Sequence, residues 1–451
     1  MVGSTLGSPM RRVSVRRDHG PDEAGASVGY DAGGVMRQGG ARFRGCARGG
    51  RGWWTFLITV VIALAAAVAP LARPQIPVPD DDPFYAPPAN LAAYANGAVL
   101  DSRPIAVFGL PLPVAAWQLR YRSTDSLGVP IANVATVMLP PGAWTNPGGR
   151  PLLSYQIAED SLGTSCAPSY ALRGGRDFSI VNTLLDIPFL AAALFRGWAV
   201  VVSDYQGPQS RFFDGVTSGR GVLDGVRAAR DFAPLGLTAD SPIGAWGYSG
   251  GAFATLWATQ LRAAYAPDVW LHGVTAGGVP ANIPAVARGV DGSLQAGLAL
   301  LILLSLARND PASGLIDLLD DRGRAALAQE SEACGADLVV RHPFDRVDNY
   351  SAVPNLLSHP VFEATAQPQE LGGSIPDVPL YLYHSTADDV IPVAGFTALR
   401  DRYCAGGATL VSVHSRVPGH NPAALVESVG AMNYLSDRFA GRPAPRECAE
   451  N

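Results

Sequence analysis

Gly247-Tyr248-Ser249-Gly250-Gly251 places a serine in the Gly-x-Ser-x-Gly pattern that makes a hydroxyl a nucleophile. Alone the pattern is weak: 29 serines and 50 glycines in 451 residues give about 0.36 chance matches. Its context raises it. Ser249 follows a strand-like run (242–247, PIGAWG) and precedes a small-residue helix start, GAFATLWATQL. A strand–turn–helix of that tightness needs small residues two positions either side of the serine. A dinucleotide reading of Gly244, Gly247 and Gly250 fails, because GxxGxxG is not GxGxxG.

A serine hydroxyl is a poor nucleophile until a base takes its proton, so an acid and a histidine must follow in that order. Asp388 lies just past the strand-like LYLYH, in HSTADDVIP, and His420 lies past the next strand, in VPGHNPAA. Asp389 adjoins Asp388 and is expected to face elsewhere. His414, inside a strand, and His384, at a strand end, read as packing residues, with His384 also placed to brace the Asp388 loop. An oxyanion hole would use the N–H of Gly250 and a second donor from a strand-end loop. The loop at 203–207 (SDYQG), with Asp204, fits that place and fits an ordinary turn equally well.

These residues need a rigid frame. Eight apolar runs of strand length occur at 115–122, 132–139, 151–157, 198–203, 242–247, 270–276, 379–384 and 408–414. The later ones are nearly continuous in apolar character, as in parallel strands covered on both faces. Helix-period segments at 181–195, 219–233, 251–264, 393–403 and 422–439 alternate with them. That alternation predicts an α/β chain with a mostly parallel, eight-stranded, doubly wound sheet, its first two strands antiparallel at one edge. Between 281 and 369 the alternation stops, and a helical insertion over the sheet ends is expected there. Its segment 294–307 (LQAGLALLILLSLA) is apolar all round, which points to burial before a lipid-facing lid.

Charge divides the chain. Residues 1–72 hold nine arginines against four acids, and the rest hold 25 arginines against 35 acids, with no lysine anywhere. With no basic stripe to meet a phosphate backbone, nucleic-acid binding is excluded. Residues 53–72 (WWTFLITVVIALAAAVAPLA) carry no charge and follow a basic stretch, the polarity of a signal peptide or an N-terminal membrane anchor. Met36 opens a more ordinary signal n-region than the 52 residues before the apolar run, so it is an alternative start. Cys46 precedes that run. The exported part is left with Cys166, Cys334, Cys404 and Cys448, an even set open to three pairings. No CxxC or close Cys/His cluster calls for a metal. The domain plan is then a basic extension (1–52), a signal or anchor (53–72), a Pro-rich arm (73–110), a core in two parts (111–280 and 370–451) and the insertion (281–369).

DDPFYAPP, SYQIAEDS, CAPSY, SDYQG, GYSGG, ADDVIP and the final GH together resemble the secretory lipase family, which includes the Candida antarctica lipase A type, over nearly all of residues 80–440. The resemblance implies an α/β-hydrolase fold with an inserted helical lid. It implies Ser249 as nucleophile, Asp388 as acid, His420 as base, and Asp204 with Gly250 in the oxyanion hole. It further implies disulfides Cys166–Cys334 and Cys404–Cys448. Gln206 departs from it, since Asp-Tyr-Glu-Gly is commoner there. The expected protein is a secreted or surface-anchored serine lipase or carboxylesterase, with no metal or cofactor, acting on lipid esters. Another acyl hydrolase and a non-catalytic binding protein on the same fold are the alternatives.

Overall fold

The computed structural model describes residues 76–175 and 179–448. The basic stretch 1–52 and the apolar run 53–72 lie outside the described residues, among which no helix is long and apolar enough to cross a membrane. One sheet is built from β1 (Val99–Ile105), β2 (Ala115–Thr124), β3 (Pro130–Leu139), β4 (Leu152–Gln156), β5 (Ala199–Ser203), β6 (Ile243–Tyr248), β7 (Gly273–Gly277), β8 (Leu380–Ser385) and β9 (Leu410–Ser415). Their order is β1-β2-β3-β5-β4-β6-β7-β8-β9. Pairing is antiparallel from β1 through β3 to β5 and parallel from β5 through β4 to β9. Every residue of β4 through β8 is buried, the reason those strands read as continuous apolar runs.

The expected eight strands become nine. β1 (VLDSRPI) carries Asp101, Arg103 and Pro104 and shows no apolar run, because an edge strand can be polar and can hold a proline. It covers β2, so the β2–β3 pair is antiparallel as expected but is not the edge. The residues assigned to an arm therefore include a strand. The arm itself is fastened by Asp82, whose carboxylate takes Arg103 at 2.8 Å and Arg173 at 2.6 Å.

Helices are α1 (Pro168–Arg173), α2 (Ser179–Phe195), α3 (Gly215–Asp231), α4 (Gly250–Tyr265), α5 (Ile283–Val290), α6 (Ala296–Asn309), α7 (Asp321–Gln329), α8 (Gly335–Arg341), α9 (Pro360–Ala366), α10 (Val393–Ala405) and α11 (His420–Phe439). Alternate strand residues feed two cores. Leu152, Val201, Ala245 and Leu382 pack with α3, α4 and α10, whereas Leu153, Val200, Trp246 and Tyr383 pack with α2 and α11. Side-chain caps start several helices: Asp214 accepts from Thr217 N at 3.0 Å, and Asn282 from Ala285 N at 2.8 Å.

α5 to α9 all lie between β7 and β8. Within them Leu300 through Leu304 of α6 are buried, so that apolar helix is interior. Residues 333–335 form a short ladder with 160–162: Leu162 N donates to Ala333 O at 2.9 Å and Gly335 N to Asp160 O at 2.7 Å. Cys166 and Cys334 are disulfide-bonded beside this ladder, and Cys404 with Cys448 joins the end of α10 to the C-terminal segment.

Cross-linking residues 168 apart removes much loop-closure freedom from the unfolded chain. Replacing Cys166 and Cys334 together by alanine is therefore expected to destabilise the fold by about 2–5 kcal/mol. Urea unfolding followed by circular dichroism measures it. An unchanged midpoint would mean that packing alone holds the insertion.

Candidate active site

β6 delivers Ser249 and α4 starts straight after it. Ser249 sits at φ 55°, ψ −126°, a backbone region costing about 1–3 kcal/mol for a side-chain-bearing residue. Neighbours hold it there: Ser249 N donates to Gly277 O, at the end of β7, at 2.9 Å. The glycines two positions either side are obligatory. A Cβ on Gly247 would stand 2.2 Å from Gly251 O, and one on Gly251 would stand 2.0 Å from Gln156 O.

Asp388 follows β8, and its side chain is wholly buried. Its Oδ1 accepts from Val390 N at 2.9 Å and Ile391 N at 2.8 Å, and its Oδ2 accepts from His420 Nδ1 at 2.8 Å. Burial alone would raise this carboxyl, but the His420 hydrogen bond, its charge and the two N–H donors together hold it below the ordinary carboxylate value. His420 opens α11 behind Gly419, whose φ of 85° suits glycine. The backbone of His420 is gripped at both ends. Its N–H donates to Asp389 Oδ1 at 2.8 Å, so Asp389 indeed faces away from the ring, and its carbonyl accepts from Tyr248 O–H at 2.7 Å. The remaining ring nitrogen, Nε2, is buried without a hydrogen-bond partner among the described residues, and His420 lines the same cavity as Ser249.

His384 does brace the acid loop. Its Nδ1 accepts from Val279 N at 3.1 Å and its Nε2 donates to Ile391 O at 3.0 Å, next to the N–H that binds Asp388. Acceptance at Nδ1 requires the neutral ring, and burial lowers its pKa accordingly. His414 meets Thr397 Oγ1 at 3.2 Å and is not part of the cavity wall.

Asp204 is not brought to the serine. Its N–H donates to Val134 O at 2.9 Å, extending the β3–β5 ladder, and its carboxyl accepts from Ser169 N at 2.8 Å and Ser169 O–H at 2.5 Å. It lines a separate cavity of about 560 Å³ between arm residues 79–87 and the loop 204–208, which contains none of Ser249, Asp388 and His420. β4 intervenes between β5 and β6, so the loop after β5 ends one strand too far away.

Asp160, after β4, is the acid that lies beside Gly250 and lines the Ser249 cavity. A Cβ on Gly250 would lie 1.9 Å from its Oδ1, and that oxygen is buried with no hydrogen-bond partner among the described residues. Burial pushes the Asp160 carboxyl up to about 6, with the charge of His420 opposing part of the rise. Its backbone has φ 36°. With the Gln206 carboxamide turned to satisfy both its ends, Gln206 Oε1 accepts from Asp160 N at 3.2 Å. Asp160 thus presents its carboxyl rather than its N–H. The sequence signal for it was the acidic pair Glu159-Asp160 closing the run 151–157, and nothing local distinguished it from Asp204.

The cavity holding Ser249 and His420 measures about 440 Å³. Its walls are mostly apolar: Leu185 and Phe189 from α2, Leu298 from α6, Val340 from α8, Leu425 from α11. Beside Ser249 and His420, the polar wall residues include Asp160, Gln295, Asn421 and Asp186. Burial raises Asp186 to about 7, and its Oδ1 accepts from Tyr155 O–H at 2.9 Å.

A model described as "Secretory lipase" matches residues 172–447. A Mycobacterium tuberculosis (strain CDC 1551 / Oshkosh) protein called a probable inactive lipase is 36% identical over 374 residues, 81% of this chain and 83% of its own. Lipase 4 of Candida albicans (strain SC5314 / ATCC MYA-2876) is 33% identical over 387 residues, 82% of this chain and 83% of its own. The X-ray structure of Candida antarctica lipase A in its closed state superimposes with a TM-score of 0.76 at 30% identity, over 83% of this chain and 90% of that one. The mostly parallel sheet with helices on both faces is thus an α/β-hydrolase fold. Matched along most of its length in sequence and in fold, this chain belongs to the secretory lipase family.

Proposed function

We propose that this protein is a secreted serine hydrolase of lipid esters. The observation that carries the reading is the Nε2 of His420, unpartnered among the described residues, with Asp388 fixed on the opposite nitrogen, in the cavity that holds Ser249. His420 takes the Ser249 proton as the hydroxyl attacks the ester carbonyl, and Asp388 holds the ring in the correct tautomer and stabilises its charged form. His420 then protonates the departing alcohol, and water attacks the acyl-enzyme by the same route in reverse. Gly250 N–H is a first-turn donor with no acceptor inside its own helix. Together with the protonated Asp160 carboxyl it stabilises the oxyanion, as a neutral buried acid does elsewhere.

An apolar acyl chain fits the walls. Val181, Leu185, Leu294, Val340 and Leu425 line the cavity and are also 41–64% exposed, an apolar rim continuous with the interior. The two disulfides and the family membership support an extracytoplasmic location. One relative is named as probably inactive. Against a purely binding role here stand the strained Ser249 and the acid–histidine pair, which a binding site would not need.

Fluorophosphonate labelling of the purified protein, in trace detergent, is expected to give one adduct, on Ser249, absent from His420→Ala. No adduct on folded, disulfide-intact protein would leave a binding module. The pH profile tests Asp160. A donor must be protonated, so its contribution is present below its raised pKa of about 6 and fades as pH climbs through that value. Asp160→Ala is expected to lose on the order of 10²–10³ in kcat at pH 5. Asp160→Asn keeps a neutral donor and is expected to lose far less, and to lack the alkaline decline. An alkaline limb unchanged in Asp160→Asn would remove Asp160 from the oxyanion hole.

A further inference from the structure

Asp160 stands in the left-handed region, φ 36°, with no glycine to make that conformation easy. Something must hold it. From the insertion side, Gly335 N–H binds its carbonyl at 2.7 Å. From the core side stands Gln206, of which 1% is exposed. Its carboxamide oxygen accepts from Asp160 N at 3.2 Å, and its nitrogen donates to Ser161 O at 3.1 Å and to Ser161 Oγ at 3.0 Å. One planar group therefore grips the peptide N–H on one side of Asp160 and the carbonyl of the next residue. Those two contacts fix the rotation of the backbone about Asp160, and hence where its Cα–Cβ bond points. Gln206 is itself anchored: its N–H donates to Glu159 Oε2 at 3.3 Å and its carbonyl accepts from Arg211 N at 2.9 Å.

We propose that Gln206 is a positioning residue, which aims the Asp160 carboxyl at Gly250 by reading both the acceptor and the donor of residues 160–161. The proposal rests on the assignment of Asp160 to the oxyanion hole. Both an acceptor and a donor are needed at position 206. A carboxamide supplies them at every pH, a carboxylic acid supplies them only while protonated, and a carboxylate offers no donor to Ser161 O. The charged and titratable groups packed around this loop are Glu159, Asp160 itself, Asp186, Asp204, Tyr205 and His420, with Arg211 following on the same loop and Arg308 of α6 donating to Leu162 O at 2.6 Å and to Ser210 O at 2.5 Å. Four of them are carboxyls, so the neutrality of Gln206 keeps one more titration out of the assembly.

The test is steady-state hydrolysis of a soluble p-nitrophenyl acyl ester by the full chain from pH 5 to 9, with thermal melts of each variant. Gln206→Met, of similar length but without either contact, is expected to lower kcat at least 10-fold at every pH while KM changes less than twofold. Gln206→Glu is expected to stay within threefold of the parent kcat at pH 5 and to fall more steeply than the parent as pH rises, since two protons are then required. A Gln206→Met enzyme within twofold of the parent kcat, or a Gln206→Glu profile that superimposes on the parent's, overturns the proposal. If Gln206→Met does not fold, the Gln206→Glu profile decides alone. Asp160→Ala is measured alongside. If it retains the parent kcat, the oxyanion assignment fails, whereas a large loss there with an unaffected Gln206→Met defeats only the positioning role.

Discussion

Where β4 ends, the carbonyl oxygen of Gln156 stands 2.0 Å from the point that a Cβ on Gly251 would occupy. That contact between one strand end and the next helix start sets the geometry of the whole catalytic end. β4 pairs with β6, so its final residue lies beside the turn that carries Ser249. A larger residue at 251 would wedge α4 away from β4 and reorient the serine. It would also move the loop that starts just beyond Gln156 and bears Asp160. Backbone-to-backbone approach of this kind fixes position better than any side-chain bond, because neither partner has a rotamer to change.

Around this frame, carboxyl groups meet two opposite fates. Asp388 is buried but surrounded by donors, and its acidity rises. Glu159, Asp160, Asp186 and Asp204 are also buried, form no ion pair among the described residues, and all become weaker acids. With no lysine in the chain and no arginine paired to them among the described residues, these groups are made harder to ionise by burial, although Glu159, Asp186 and Asp204 accept hydrogen bonds from Gln206 N, Tyr155 O–H and Ser169. Such divergence between chemically alike groups is how one site holds both a permanent anion and a neutral acid at the same pH.

Much of this was legible in the sequence. β4 to β8 were visible because strands buried on both faces must be apolar throughout, and the glycines flanking Ser249 because the turn admits nothing larger. Asp388 and His420 followed from chain order and from their positions after strand ends. β1 stayed hidden because edge strands face water and tolerate Pro104 and Arg103. The choice between Asp160 and Asp204 was beyond local pattern. Each is an acid just after a strand of the same sheet, and only the spatial order β5-β4-β6, set by long-range pairing, decides which loop borders the serine. Gln206, noticed only as a departure from a familiar motif, acquired a role once residues 160–161 were seen against it.

The insertion is welded to the core beside the site, through the 160–162 ladder with 333–335 and the Cys166–Cys334 bond. At that corner it is a wall, not a door, and α8, which begins at Gly335, starts from a fixed footing. The bond joins segments separated by 168 residues, so it closes only after most of the chain has emerged and met an oxidant. Copies still inside a reducing cytoplasm lack that weld, and the loop bearing Asp160 is then supported by hydrogen bonds alone. A reductant therefore acts on a wall of the cavity through its covalent fastening, loosening that corner without touching any residue that lines it.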